Sequence, residues 1–429
     1  MAERWFPAWG FAAVAFGGAS LLVPLYVVEL GGDALALGLL FASSSLVGVP
    51  GALVCGNLAD RTGRRRVFVL AAMVLTTLAM AVIPFFSHLG LVIVANAMLW
   101  LGFAAAVPVL TLLVVTDEPP ARWSSLIARL NKIQGLGWAT GLGVGFLVVA
   151  GGTRVLSTVT AQRAFFVVCA LSAAVGLVLA RRTLPPDPPP AAEPARNRLF
   201  RASRAAGRFN VRGAGFPFTP SRFDPRQLRP RRLVDRFSVP LGAYFLVVFL
   251  FFTGFGTFFA PLPAYLDYVG YTTGEIFAAY FVLNVGAAAF YGVAAALIAR
   301  VGLFRAHAGG LTVRAVALPT VTFVGLFLVG WMTFVGVLGV MLLIGLTWAV
   351  IVVTAGTIVS TLTPPVVRGE ALGMYGALGA IGGGIGGLLG GRIAVGSFAT
   401  SFLVAAGLVL VAAIGVAILA TRARLSVST

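Results

Sequence analysis

Apolar residues do not alternate with polar ones along this chain; they run in long blocks. Twelve blocks recur, at about 9–30, 35–58, 67–87, 89–115, 125–151, 163–180, 239–262, 275–299, 308–330, 334–361, 371–392 and 398–420. Their length, about 20 residues, is what an α-helix needs to cross a bilayer. Hydrocarbon offers no partner to an unpaired N–H or C=O, so only helices and closed barrels span it. Barrel strands are shorter and alternate with period two, which these blocks do not. The pattern predicts an all-α integral membrane protein of twelve transmembrane helices.

Composition agrees. The chain is 59% hydrophobic and 10% charged, with mean hydropathy +1.00. A soluble domain is about 25% charged, so this chain lacks the polar residues to coat a water-facing surface. The first block continues to Leu30, too far for a signal peptide, and is read as the first helix. Cys55 and Cys169 both fall inside apolar blocks and predict no disulfide.

A net charge of +18 would suggest nucleic acid in a soluble protein. Here it sits in short loops and one linker, so membrane topology explains it and no nucleic-acid partner is expected. The linker, 181–238, opens on Arg181-Arg182, runs through Pro185, Pro186 and Pro188–Pro190, and carries fourteen Arg. It separates an N-terminal six-helix bundle, 1–180, from a C-terminal one, 239–429. Placing the N-terminus inside puts 28 basic residues on the cytoplasmic side, three of them in the region between blocks eight and nine, and only Arg154, Arg163 and Arg392 outside. The positive-inside rule therefore predicts a multi-pass plasma-membrane protein with both termini and the linker in the cytoplasm.

The two halves resemble each other. At an offset of 239, Pro24 pairs with Pro263, Tyr26 with Tyr265, Gly31 with Gly270 and Arg61 with Arg300. At 246, Gly137, Gly141 and Gly145 pair with Gly383, Gly387 and Gly391. Both halves start inside, which predicts parallel repeats related by an axis along the membrane normal. The spacing of four predicts that each glycine trio packs backbone to backbone on a neighbouring helix.

Between blocks two and three the chain reads Gly56-Asn57-Leu58-Ala59-Asp60-Arg61-Thr62-Gly63-Arg64-Arg65-Arg66. This resembles the signature loop of the major facilitator superfamily, and the resemblance extends over all twelve helices. A weaker copy, Ala295–Arg305, has Ala299 where Asp60 stands. The resemblance implies a transporter that works by alternating access. It implies a cytoplasmic latch of Gly56, Asp60, Arg61, Gly63 and Arg64, with Asp60 against the start of helix 11 near Glu370 and Arg61 paired to Asp117 or Glu118. The run Pro24–Gly31 looks like the start of drug-export members, which implies efflux.

Asn96, Asn131, Gln134 and Asn284 each place a polar group in an apolar helix, where it needs a partner or a wet cavity. They are the candidates for holding an amphipathic or weakly polar small solute. Carboxylates are absent from mid-helix positions, and Glu29 is the deepest candidate for carrying a proton. His88 and His307 stand isolated in the sequence, with no nucleophile–base set, metal cluster or phosphate loop. Neither an enzyme nor a bound cofactor or metal is expected; the expected partners are the solute, protons and lipid, and the expected state is a monomer. The alternatives are an uptake or facilitative carrier, or a membrane sensor of the same fold that moves nothing.

Overall fold

The computed structural model describes residues 4–62, 64–115, 120–187, 238–363 and 368–425. Every regular element among them is a helix, and twelve spans are long and apolar enough to cross a membrane. In chain order the helices are α1 (Phe6–Glu29), α2 (Ala34–Thr62), α3 (Arg65–Val82), α4 (Leu89–Val115), α5 (Pro120–Gly152), α6 (Thr158–Thr183), α7 (Val239–Phe259), α8 (Leu262–Tyr268), α9 (Thr273–Val301), α10 (Leu303–Phe327), α11 (Trp331–Leu362), α12 (Arg368–Ala394) and α13 (Phe398–Leu425). Among the described residues thirteen α-helices make twelve spans, a 3₁₀ turn at Ile83–Phe85 closing the third, because the seventh is broken. Pro261 lacks the N–H that would continue the ladder, so α7 stops at Phe259 and α8 resumes at Leu262 within one span, Val239–Tyr268.

The chain divides into two compact units. One holds α1, α2 from Ser43 onward, α3 to α6, and α12 as far as Gly373. The other holds Gly31–Ala42, α7 to α11, α12 from Met374, and α13. Within each unit the first helix is the most enclosed: 72% of the apolar window is buried in α1 and in the α7–α8 span, against at most 44% in any other. Outward-facing side chains such as Leu147, Leu171, Leu246 and Val316 are apolar and 61–68% exposed, as a lipid-facing surface requires.

The repeat holds in atomic detail. The Tyr26 hydroxyl donates to the carbonyls of Phe86 (3.0 Å) and Pro84 (3.3 Å), just past α3, and its ring meets Phe166 of α6 edge-on at 5.3 Å. Tyr265 donates to the Val321 carbonyl of α10 (3.4 Å), and its ring meets Phe402 of α13 edge-on at 5.3 Å. Gly31 and Gly270 both adopt left-handed φ, +83° and +92°, where a side chain would be strained. Two residues further on, Asp33 Oδ1 accepts from the Ala36 N–H (2.9 Å) and Thr272 caps α9 in a reciprocal box with Glu275.

Two expectations need correction. The motif Gly56–Thr62 belongs to the last turns of α2 rather than to the loop, because nothing before Gly63 breaks the helix. Arg314, counted among the cytoplasmic charges, lies inside α10 and is 1% exposed, so the basic bias there rests on Arg300 and Arg305. The expected glycine faces do pack on neighbouring helices. Gly137 and Gly141 do pack on the α1 backbone at Gly10 and Val14. A further face of α12, Gly382, Gly386 and Gly390, meets α7 at Phe249, Thr253 and Thr257. Gly383, Gly387 and Gly391 face residues 34–41 of α2. At about 100° per residue, a shift of one position presents a different side of the helix.

Candidate solute-binding site

Five large rings converge in the first unit. Trp9 and Phe16 lie two turns apart on α1, Trp100 and Phe103 one turn apart on α4, and Trp138 comes from α5. Phe103 is at the centre: its ring centroid is 4.8 Å from Phe16, 5.7 Å from Trp100, 6.0 Å from Trp138 and 6.1 Å from Trp9. These are edge-to-face and offset geometries, the favourable arrangements for rings with negative faces and positive edges. Beside them the Trp9 indole N–H donates to Gln134 Oε1 at 2.9 Å, in a buried bond between α1 and α5. Trp9 and Gln134 line a small recess of about 10 Å³, room for one water, with Asn131, Thr111, Val107 and Leu110. Apolar walls with a few convergent polar groups are the usual make-up of a small-molecule site.

The second unit carries a comparable cluster. Phe251, Phe252 and Phe255 of α7 surround one another at 4.7–5.8 Å, and Trp348 of α11 meets Phe255 edge-on at 5.9 Å. Tyr375 of α12 reaches Phe252 at 6.0 Å. Phe255 is the repeat counterpart of Phe16 at the offset of 239, and each pairs with a Trp on the fourth span of its half; Phe16 and Trp100 are 6.4 Å apart.

Two polar residues of α10 underlie this second cluster, seven positions apart and hence on one face. The nearer to the helix start is His307, fully buried and no longer isolated. Thr354 gives its hydroxyl hydrogen to the Val350 carbonyl (2.7 Å), so His307 Nδ1–H donates to Thr354 Oγ1 (2.6 Å). That leaves Nε2 to accept from the Tyr244 hydroxyl (3.1 Å), a neutral imidazole with both nitrogens satisfied. Arg314 is the other. Its Nε donates to Thr347 Oγ1 (3.1 Å), one Nη to the Ile344 carbonyl, and its planar face lies 4.6 Å from the Phe255 centroid and 5.4 Å from Trp348.

The residues expected from sequence fall apart into separate groups. Asn131 and Gln134 meet at the recess. Asn96 is buried and donates to Ser44 Oγ (2.7 Å), joining α4 to α2. Asn284 donates to the Tyr280 carbonyl of its own helix (2.8 Å). Glu29 is exposed as the last residue of α1. Arg64 is exposed at the start of α3. Gly56, Asp60 and Arg61 belong to α2 with side chains outside what is described, and Gly63, Asp117 and Glu118 lie outside the described residues. Sequence reading missed the aromatic clusters and Arg314. Rings at seven- and three-residue spacing and one arginine deep in an apolar block were the available signals, but both read equally well as core packing and as loop charge.

The family profile described as the Major Facilitator Superfamily matches residues 6–386. A mutant form of the nucleoside transporter NupG superposes with TM-score 0.72 at 13% identity, covering 98% of this chain and 100% of its own. A D-xylose–proton symporter gives 0.69 at 14% identity, with 97% and 95% covered. The human organic anion transporter MFSD10 gives 0.60 at 20% identity, with 97% and 98% covered. At such identities the likeness concerns the fold. No curated protein matches the chain.

Proposed function

This chain belongs to the major facilitator superfamily, and we propose that it exports a small amphipathic, largely aromatic solute across the plasma membrane. That it is a multi-pass membrane transporter and not an enzyme follows from membership; the nature of the solute is the reading offered here. One observation carries it: the recess at Trp9, Asn131 and Gln134, set against the rings of Phe16, Trp100, Phe103 and Trp138. Stacked rings hold a flat apolar solute, and the amides orient its polar end. Proteoliposomes tested with a panel of neutral and singly charged aromatic solutes should show protein-dependent flux of at least one. Trp138→Ala should raise the concentration for half-maximal flux about tenfold, since one lost ring contact with its buried area is worth about 1.4 kcal/mol. Flux of polar sugars or nucleosides in place of aromatic solutes overturns the reading.

Orientation, gating and energy source complete the proposal. Both termini and the linker are cytoplasmic, on the basic-residue bias. Gly56, Asp60, Arg61, Gly63 and Arg64 form the cytoplasmic latch with Asp117 and Glu118, on the motif resemblance. Export is driven by protons, with Glu29 as carrier. Alternating access would move Glu29 between solvated and desolvated surroundings, which changes a carboxylate's hold on its proton. A facilitative carrier is the second reading, and the exposure of Glu29 favours it. An imposed pH gradient separates the two: a coupled exporter accumulates solute against its own gradient and Glu29→Gln does not, whereas a facilitator only equilibrates.

A further inference from the structure

Arg314 stands twelfth of the 25 residues of α10, near the middle of the span, and is 1% exposed. A cation at that depth is costly unless paired or hydrated. Its partners among the described residues are neutral: the Thr347 hydroxyl, the Ile344 carbonyl and the faces of Phe255 and Trp348. The Thr347 hydroxyl hydrogen is itself committed to the Ile344 carbonyl (2.9 Å), so Thr347 can only accept from the guanidinium. The remaining terminal nitrogen, Nη1, is buried and has no partner among the described residues. Three N–H groups, both on Nη1 and one on the other terminal nitrogen, and a net positive charge are therefore left over in a low-dielectric setting, where an unmet donor is costly, the more so when charged.

We infer that Arg314 is an anion-recognition point for the solute, and that the solute is an aromatic or amphipathic monoanion whose acidic group docks on Nη1. The inference rests on the amphipathic-solute reading above for the kind of solute only, and adds a separate contact point in the second unit. A carboxylate or sulfonate oxygen would accept from the N–H groups of Nη1 and neutralise the charge in one step. The apolar body of the same molecule would lie against Phe252, Phe255 and Trp348. Phe252 and Trp348 are only half buried, so this aromatic wall is open on one side. A single charge is specified because no second cation faces the cluster among the described residues: His307, two turns back on the same face, is neutral and fully bonded. The competing role is a strut holding α10 to α11, which predicts a loss of stability on mutation and no preference for anions.

A matched pair of probes separates these roles. Purified full-length protein in nanodiscs is titrated with 2-naphthoate and with its uncharged amide, 2-naphthamide. Wild type should bind the naphthoate at least about tenfold more tightly, about 1.4 kcal/mol. Arg314→Gln should erase that preference while holding naphthamide affinity within about twofold. Arg314→Lys keeps the charge and should keep part of the preference. Equal affinity of the wild type for both probes overturns the inference, as does a preference that survives in Arg314→Gln. Should Arg314→Gln fail to fold, the wild-type ratio and Arg314→Lys decide, and loss of all preference in Arg314→Lys counts against charge recognition. If naphthamide binds as well as naphthoate, the amphipathic-solute reading stands and the anion inference falls; if neither binds, both fall.

Discussion

Asn96 and Gln134 interrupt apolar helices in the same way, and the fold uses them differently. Asn96 donates to Ser44 and is buried, while Gln134 accepts from Trp9 at the wall of a recess. Interhelical hydrogen bonds within membranes are worth about 0.6 kcal/mol on average and up to about 1.7. Asn96→Ala is thus expected to lower thermal stability by about that amount and leave solute affinity unchanged. Gln134→Ala is expected to weaken solute binding more than it weakens the fold. Stability in detergent and equilibrium binding, measured on both variants, check the split; equal effects of the two substitutions on affinity would contradict it. Both amides were legible in the sequence as exceptions to an apolar pattern. Their partners were not, because Ser44 and Trp9 are 52 and 125 residues away. Arg314 shows the same limit: its position was visible, but a partnerless Nη1 is a property of the neighbours on α7 and α11.

Helix packing inside each unit depends on backbone approach. A Cβ at Gly141 would fall on the Val14 carbonyl oxygen of α1, whereas one at Gly135, on the same helix, would meet nothing within 4 Å. Gly141→Ala should therefore destabilise the first unit by about 1–3 kcal/mol, as overpacking does. Gly135→Ala should be neutral or stabilising by up to about 1 kcal/mol, since Ala is the better helix former. Melting curves followed by size-exclusion fluorescence will rank them, and similar melting points would refute the packing argument. Spacing by four identified that glycine faces exist, since periodicity follows from helix geometry. Which face meets which neighbour it did not say: in α12, Gly383, Gly387 and Gly391 pack on α2, and Gly382, Gly386 and Gly390 on α7. A helix so rich in glycine has small residues on several sides, and the sequence carries no signal to choose among them. The break between α7 and α8 was also hidden, because both pieces lie in one apolar block, although Pro261 marked the spot.

For the molecule as a whole, two expectations concern sidedness and cycle. With Cys55 and Cys169 replaced by alanine, Ser203→Cys in the linker should resist an impermeant maleimide in intact cells and label after lysis; labelling of intact cells would invert the orientation. Asp60→Asn should leave expression and melting near wild type while slowing transport at least about tenfold, because one charge-assisted contact of about 1.5–3 kcal/mol biases states that differ by only a few kcal/mol. Wild-type flux from Asp60→Asn would remove Asp60 from the latch. The number of spans, the helical class, the repeat and the family were determined by the sequence itself. Each depends on local quantities: apolar length against bilayer thickness, the fixed geometry of a helix, and residue types at set offsets. The tertiary structure alone decided which rings converge on Phe103, which amide lines a recess and which only ties helices together, and that Arg314 keeps an unmet donor between two aromatic faces. Those facts depend on residues brought together from distant parts of the chain, and a helix buried in lipid-like surroundings reads much the same on every side until its neighbours are known.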